Sequence, residues 1–218
     1  MKPLTDARHP IDLIARFTTI TPELEAGLRQ VMREHFFQKG DVVKGWNNLG
    51  SYAYFLTSGS ARLFYTTGGK EHTVSFAFQG EFVLIPHTCL DKHSDTLAIE
   101  FLAPTHAVFI PHLQVKSMLE ESRPAADFEG LLFLNAALFQ YCTFLEERVD
   151  VMQSKSAEER YRWVLRRYPM LEECATTTQI ASFLGVTKET LYRIKNGKYV
   201  SSPGGTVRRG SNPKSGSK

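Results

Sequence analysis

The chain has 218 residues, 42% of them hydrophobic, which is enough apolar material for one large or two small packed domains. Residues 155–218 hold 13 Lys and Arg against 5 Asp and Glu, a net charge of +8, whereas residues 1–154 carry −5, so a basic C-terminal part follows an acidic N-terminal part. The sequence contains no apolar run of membrane-spanning length and no apolar signal-peptide core, so we expect a cytoplasmic protein with no membrane partner.

The N-terminal third begins with helical patterns and then changes character. Residues 11–35 are predicted to be helical, with a start signal at Thr21-Pro22-Glu23. Residues 36–112 instead contain short β-rich runs separated by turns at Gly40, Ser58-Gly59, Gly68-Gly69 and Gly80. Many short strands at this spacing predict an antiparallel sandwich or roll. The runs lie at 36–37, 42–43, 52–56, 61–65, 73–78, 97–102 and 107–110.

Residues 124–153 predict one long, strongly apolar helix. Apolar residues recur at the a and d positions of four heptads, with Asn135 at an a position where a buried amide can fix the register of paired helices. Two arrangements fit this pattern: a homodimer joined along the helix, which we favour, and a central helix in a monomeric core. The predicted interface residues are Phe128, Leu131, Asn135, Leu138, Cys142, Leu145, Val149 and Met152.

A further helix is predicted in residues 155–175, ending near Tyr168-Pro169, and residues 176–195 after it are predicted to form two short helices joined by a tight turn. Thr176 and Gln179 form a capping box, Gly185 suits a left-handed turn, and Thr187 caps the second helix. The second helix turns Leu191 and Ile194 inward and leaves its polar residues on the other faces. This pattern is typical of a helix-turn-helix that binds double-stranded DNA, although an ordinary helical hairpin would also produce it.

Residues 201–218 are rich in Ser, Gly, Pro and basic residues and predict a flexible tail. Tyr199-Val200 and Thr206-Val207 flank the turn sequence SSPGG, so a small wing-like hairpin over 199–209 is an alternative.

Element order and several local motifs resemble the catabolite-activator/Fnr family of bacterial transcription regulators. Similar segments are Lys39-Gly40-Asp41, residues 54–63, Gly69-Lys70-Glu71, Gly80-Glu81-Phe82 and residues 185–194. The resemblance implies an α+β chain with four parts. These are a β-roll sensor domain with N-terminal helices (1–123), a dimerisation helix (124–154), a helix-turn-helix domain (155–200) and a basic tail (201–218). It further implies a homodimer on a pseudo-palindromic DNA site, with RNA polymerase as a candidate partner.

The resemblance also implies roles for individual residues. Lys188, Glu189 and Arg193 match base-contacting positions, and Thr176, Thr178 and Thr190 match backbone contacts, with Tyr192 on the same exposed side. Lys188 replaces the arginine usual there, which keeps the charge and loses the planar fork. A small-molecule effector would occupy a pocket between the roll and the long helix, near Phe82–Pro86 and Phe133–Phe144. Its candidate residues are Gly80, Glu81, Phe82, Leu84 and Lys92.

One departure from the family bears on the effector. The family's cyclic-nucleotide binders carry Gly-Glu for the ribose and Arg-Ser or Arg-Thr for the phosphate, but here Gly80-Glu81-Phe82 is followed by Val83-Leu84-Ile85-Pro86-His87. No arginine occurs between Arg62 and Arg123. Since a buried phosphate without its arginine is a largely uncompensated charge, tight cAMP binding is not expected, and the effector stays unidentified.

Two functions other than DNA-binding regulation are compatible with parts of this sequence. His72, His87, His93, His106 and His112 would suit a metal-binding β-roll enzyme, but they form no HxH pair or facial-triad spacing. Cys89, Cys142 and Cys174 are too few for the family's iron–sulfur cluster. We therefore assign no catalytic residue, metal or cofactor. In the other alternative, the helix-turn-helix serves protein contacts only.

Overall fold

The computed structural model describes residues 7–44, 53–85, 96–109 and 126–198; the side chains of 126–131 and 134 lie outside this description. In these ranges, two short helices, α1 (Pro10–Ile14) and α2 (Pro22–Val31), precede eight strands. Thr21 caps α2 by accepting from the Leu24 amide at 3.2 Å, as the start signal predicts. The helical prediction is wrong beyond Met32, because the backbone becomes extended there and Arg33–Phe37 pairs with a later strand.

The strands form two antiparallel sheets of four, and together they make the β-roll. The strands are β1 (Arg33–Phe37), β2 (Val42–Lys44), β3 (Ala53–Leu56), β4 (Ser60–Thr67), β5 (Lys70–Phe78), β6 (Phe82–Leu84), β7 (Leu97–Phe101) and β8 (Thr105–Phe109). Their orders are β1-β8-β3-β6 and β2-β7-β4-β5. The predicted turn glycines all have positive φ, which confirms the turns. No alternating pattern marks β6 in the sequence, because its three residues are all apolar and all buried.

Aromatic packing fills the space between the two sheets. Phe37 stacks on Phe101 with ring centroids 3.8 Å apart, and Tyr54 meets both rings edge-on. A second apolar cluster joins α1, α2 and the roll to the long helix, with Phe82 against Phe133 at 5.1 Å. The long helix therefore rests on the β3–β6 side of the roll.

The C-terminal part is helical. It comprises α3 (Ala126–Ser154), α4 (Ala157–Arg167), α5 (Leu171–Cys174), α6 (Thr177–Leu184) and α7 (Lys188–Lys195), and we call residues 157–195 the C-terminal module. The helix predicted in the 155–175 region ends near Tyr168-Pro169 as expected, because Pro169 cannot continue a helix and Tyr168 before it has φ −130° and ψ 79°. The rest of that region forms the separate short helix α5. A third apolar cluster joins this module to β5 and α3. Within the described residues, no helix is long and apolar enough to cross a membrane.

Candidate nucleic-acid interface and its contact with the roll

The turn between α6 and α7 has the geometry that the sequence predicts. Thr176 Oγ1 accepts from the Gln179 amide at 3.2 Å, and Gln179 Oε1 accepts from the Thr176 amide at 2.8 Å. Gly185 is left-handed with φ 66°, and the Val186 amide donates back to the Ala181 carbonyl at 3.0 Å. Arg148 and Arg160 donate to the last α6 carbonyls, those of Phe183 and Leu184. Both ends of α6 are thus fixed by hydrogen bonds.

Helix α7 has one buried side and one exposed side. Leu191 and Ile194 are buried, whereas Lys188, Glu189 and Arg193 are exposed, as is Tyr192 with 65% of its surface accessible. Thr187 caps the helix by accepting from the Thr190 amide at 3.1 Å. The Glu189 backbone amide and the Thr187 hydroxyl hold the pKa of the Glu189 carboxyl below its ordinary value, so this side chain stays ionised.

The remaining candidate DNA contacts lie at helix starts. Thr176 and Thr178, at the start of α6, are exposed. Thr190 is half-buried, with its hydroxyl 3.0 Å from that of Thr187. At the other end of α7, Lys195 pairs with Glu172 at 2.5 Å. The seven candidates thus occupy α7 and the start of α6, and their DNA-binding roles stay a prediction.

Helix α6 packs directly on β5 of the roll. The Thr73 amide donates to Ser182 Oγ at 3.0 Å, and Ser182 Oγ donates to the Glu71 carbonyl at 3.4 Å. Gln179 Nε2 donates to Glu100 Oε2 at 3.2 Å. Phe183 anchors the apolar part of this contact, with its ring 5.2 Å from that of Phe76. The contact gives Gln179 two roles, since it caps α6 and binds the roll.

A buried ion pair lies beside this contact. Arg167, at the end of α4, binds Glu81 of the β5–β6 turn at 3.1 Å and Glu147 of α3 at 2.7 Å. Burial raises the pKa of Glu81 to about 7, against the opposing charge of Arg167. Tyr168 completes the group by donating its hydroxyl to the Phe76 carbonyl at 3.1 Å. Arg167 therefore links the roll, the long helix and the C-terminal module.

Sequence reasoning did not find Ser182, Arg167 or Tyr168, nor the second role of Gln179. The partners of Arg167 and Ser182 are about 86 and 109 residues away, and no local pattern marks such pairs. The sequence shows a glutamate in the Gly80-Glu81-Phe82 turn and an arginine two residues before Pro169, but nothing in it pairs the two.

Arg62, the last arginine before Arg123, is enclosed by acidic partners. Its side chain is 4% exposed, binds Glu100 at 2.5 Å and pairs with Glu71. Its guanidinium also lies 4.2 Å from the Phe64 ring centroid. Two carboxylates thus neutralise this cation inside the sheet.

The predicted effector-pocket residues are mostly core residues. Phe82 and Leu84 are buried in the apolar cluster against α3, and Glu81 faces Arg167. Gln140 of α3 closes this region, because it accepts from the Phe82 amide at 2.6 Å and donates to the Gly80 carbonyl at 3.1 Å. Lys92 and Pro86 lie outside the described residues. The effector pocket between the roll and α3 stays a prediction.

The predicted dimer seam on α3 divides into two rows. The d positions Leu138, Leu145 and Met152 are half-buried against the chain's own core, whereas the a positions Asn135, Cys142 and Val149 are exposed. Phe139 adds an apolar side chain with 58% of its surface exposed, stacked 5.5 Å from Phe17. The side chains of Phe128 and Leu131 lie outside the described residues. Among described residues, no cluster of three or more His, Cys, Asp or Glu could hold a metal.

Solved structures with a similar fold include several bacterial regulators. The c-di-GMP responsive global regulator CLP from Xanthomonas campestris is 15% identical with a TM-score of 0.57, over 81% of this chain and 91% of that one. A protein assigned to the crp/fnr family of transcriptional regulators, from Eubacterium rectale, is 18% identical with a TM-score of 0.56, over 85% and 87%. FixK2 from Bradyrhizobium japonicum is 19% identical with a TM-score of 0.51, over 77% and 84%. No family model and no curated protein matches the sequence. The chain therefore has the fold of the crp/fnr regulators, a β-roll followed by a long helix and a helix-turn-helix.

Proposed function

We propose that this chain is a DNA-binding transcription regulator that acts as a homodimer on a pseudo-palindromic site. The observation that carries the proposal is the exposed side of α7, where Lys188, Glu189 and Arg193 extend from a helix whose other side is buried. Such a helix can enter the major groove while the rest of the module holds it in place.

The chemistry of the three side chains suits base recognition. Arg193 can donate two hydrogen bonds to the O6 and N7 atoms of guanine, and the ionised Glu189 can accept from cytosine N4. Lys188 supplies a charge to guanine or to a phosphate. Thr176 and Thr178 lie where hydroxyl groups and the first backbone amides of α6 can contact the DNA backbone.

The dimer is supported by the row of a positions on α3. Asn135, Cys142 and Val149 recur every seven residues on one exposed stripe, and Phe139 extends its apolar surface. A second copy of the same helix would cover this stripe with its own. Two copies of α7 related by a two-fold axis would then contact two half-sites.

Arg62 supports the proposal that cAMP is not the signal. Its guanidinium is already paired with Glu71 and Glu100, so it is not available for a cyclic phosphate. Any other effector in the roll could act through the contacts of β5 with α6, because a shift of β5 would move the helix-turn-helix. RNA polymerase is the natural further partner of such a regulator.

The test is selection of bound sequences from a random DNA duplex library, followed by titration of the selected duplex at several salt concentrations. We expect an inverted repeat among the bound sequences. Arg193→Ala should weaken binding to the selected duplex by roughly tenfold or more and reduce discrimination at one base pair per half-site, because one bidentate contact is worth about 1–3 kcal/mol. Added cAMP should leave the affinity unchanged.

The matched control is Arg166→Ala, which removes an exposed cation from α4 of the same module without altering α7. This variant should keep the sequence preference. If both variants bound the selected duplex as the unmodified chain does, α7 would not be the reading helix. A helix-turn-helix used only for protein contacts would yield no enriched sequence at all.

A further inference from the structure

A cavity of about 600 Å³ lies between the roll and the C-terminal module. The turns after β1, β3, β5 and β7 form one wall, and the connection between α4 and α5 forms the other. This volume is within the range of small-molecule sites in proteins. The cavity shares Glu81 with the effector pocket expected between the roll and α3. Phe82, Leu84 and the described residues of α3 do not line it, so it is a separate space.

The walls of the cavity are mainly apolar and aromatic. Phe78 and Tyr168 stack with ring centroids 4.9 Å apart, one from each side of the interface. Leu102 and Tyr168 are 4% and 2% exposed, so they form a fixed base behind the wall, and the accessible apolar surface comes from the half-buried Phe78 and from Met170, which is 54% exposed. Prolines on both sides, Pro104 and Pro169, stiffen the walls. An apolar wall that carries an aromatic side chain on a fixed base favours an apolar, aromatic ligand.

The charged groups in the walls leave no surplus positive charge. Arg167 is paired with Glu81 and Glu147, and the other lining cation, Lys39, is matched by the lining carboxylate of Glu173. A phosphate group would therefore meet as much negative as positive charge. The uncharged polar side chains of the walls are the exposed Gln79, the half-buried Cys174 and the buried Ser60, so Gln79 is the one most accessible to a ligand.

We propose that this cavity is a binding site for a neutral, planar aromatic molecule. Such a ligand would contact both walls at once and so stabilise the packing of the C-terminal module on the roll. The inference concerns this interface alone and holds whether or not the chain binds DNA.

The test uses N-phenyl-1-naphthylamine, a neutral aromatic fluorophore, titrated into the full chain. We expect one molecule bound per chain. Ala103→Trp, which puts a large side chain on the cavity wall, should weaken binding at least tenfold, whereas Ala26→Trp on the exposed face of α2 should not change it. 2-Naphthyl phosphate, an aromatic of similar shape with a charged group, should bind at least tenfold more weakly.

A second measurement covers the case in which Ala103→Trp disturbs folding. In a Cys89→Ser, Cys142→Ser chain, the remaining thiol is Cys174 on the cavity wall, and saturating fluorophore should slow its reaction with N-ethylmaleimide at least fivefold. If the fluorophore did not bind, the site would be overturned. The same would follow if it bound but Ala103→Trp did not weaken its binding and the fluorophore did not slow Cys174 labelling. Equal affinity for 2-naphthyl phosphate would overturn the ligand class.

Discussion

Gly59 occupies a tight turn of the roll that a larger residue would not fit. It has φ +83°, and a Cβ atom built there would lie 2.3 Å from Thr105 Oγ1 and 2.5 Å from the Pro104 carbonyl oxygen. Alanine at this position would meet both the left-handed strain and a clash with backbone atoms. We expect Gly59→Ala to lower the free energy of unfolding by about 3 kcal/mol or more, measured by urea denaturation.

Gly40 is the matched control for that substitution. It has φ +90° but nothing within 4 Å of its added Cβ, so Gly40→Ala isolates the backbone strain. This variant should cost only about 1–2 kcal/mol. Equal losses of stability in the two variants would mean that the close approach of Thr105 and Pro104 contributes nothing to the need for glycine at position 59.

At the scale of the helix, local patterns predicted α6 and α7 well. The capping box of Thr176 and Gln179, the left-handed Gly185 and the Thr187 cap all depend on neighbours within a few residues, and the structure confirms each. The heptad pattern likewise predicted α3, because a periodic apolar stripe is visible in the sequence itself.

The contacts between elements could not be predicted from such patterns. Gln179 donates to Glu100, which lies 79 residues away, and this bond exists only because α6 packs on β5. The buried position of Glu81 and its partner Arg167 also arise from tertiary packing. Helices α6 and α7 were therefore predictable from the sequence, whereas the surface that holds α6 against the roll was not.

The exposed stripe of α3 gives a prediction for the dimer. Val149 is 51% exposed in the single chain, and in a parallel pair it would face its own copy. Val149→Arg would place two like charges together in that interface, so we expect a shift in mass from about two chains to one chain of 24.7 kDa, measured by analytical ultracentrifugation. Helix content should not change.

Val42→Arg is the control for this change, because Val42 is a similarly exposed valine, 44% accessible, on β2 of the roll. This variant should remain a dimer. If the Val149→Arg chain stayed dimeric, the dimer interface would not include the a positions of α3.

For the whole molecule, the roll and the C-terminal module are joined by polar as well as apolar contacts. The Glu81–Arg167 pair, the Gln179–Glu100 bond and the Ser182 contacts with Thr73 and Glu71 all cross the same interface. Because a buried polar contact is costly to leave unpaired, these bonds fix one orientation of the module on the roll. A change that removes one of them should therefore alter the stability of the whole chain.

Glu81 makes that stability depend on pH. Burial raises the pKa of its carboxyl from 4.5 to about 7 in the folded chain, against Arg167, and Glu147 and Tyr168 complete its ionisable surroundings. Between these two values the unfolded chain releases the Glu81 proton and the folded chain retains it. The contribution of Glu81 to the free energy of unfolding therefore falls as pH rises from about 5 to 7, by up to about 1.4 kcal/mol per pH unit.

Glu81→Gln removes this titration and keeps a group of similar size at the same place. The measurement is the free energy of unfolding of both chains at pH 5, 6, 7 and 8, and the advantage of the unmodified chain over the variant should shrink between pH 5 and 7 and then level off. Glu34→Gln, which alters an exposed carboxylate on β1, should give no such trend. A difference between the unmodified chain and Glu81→Gln that grew from pH 5 to 7 would mean that Arg167 outweighs burial and holds Glu81 ionised in the folded protein.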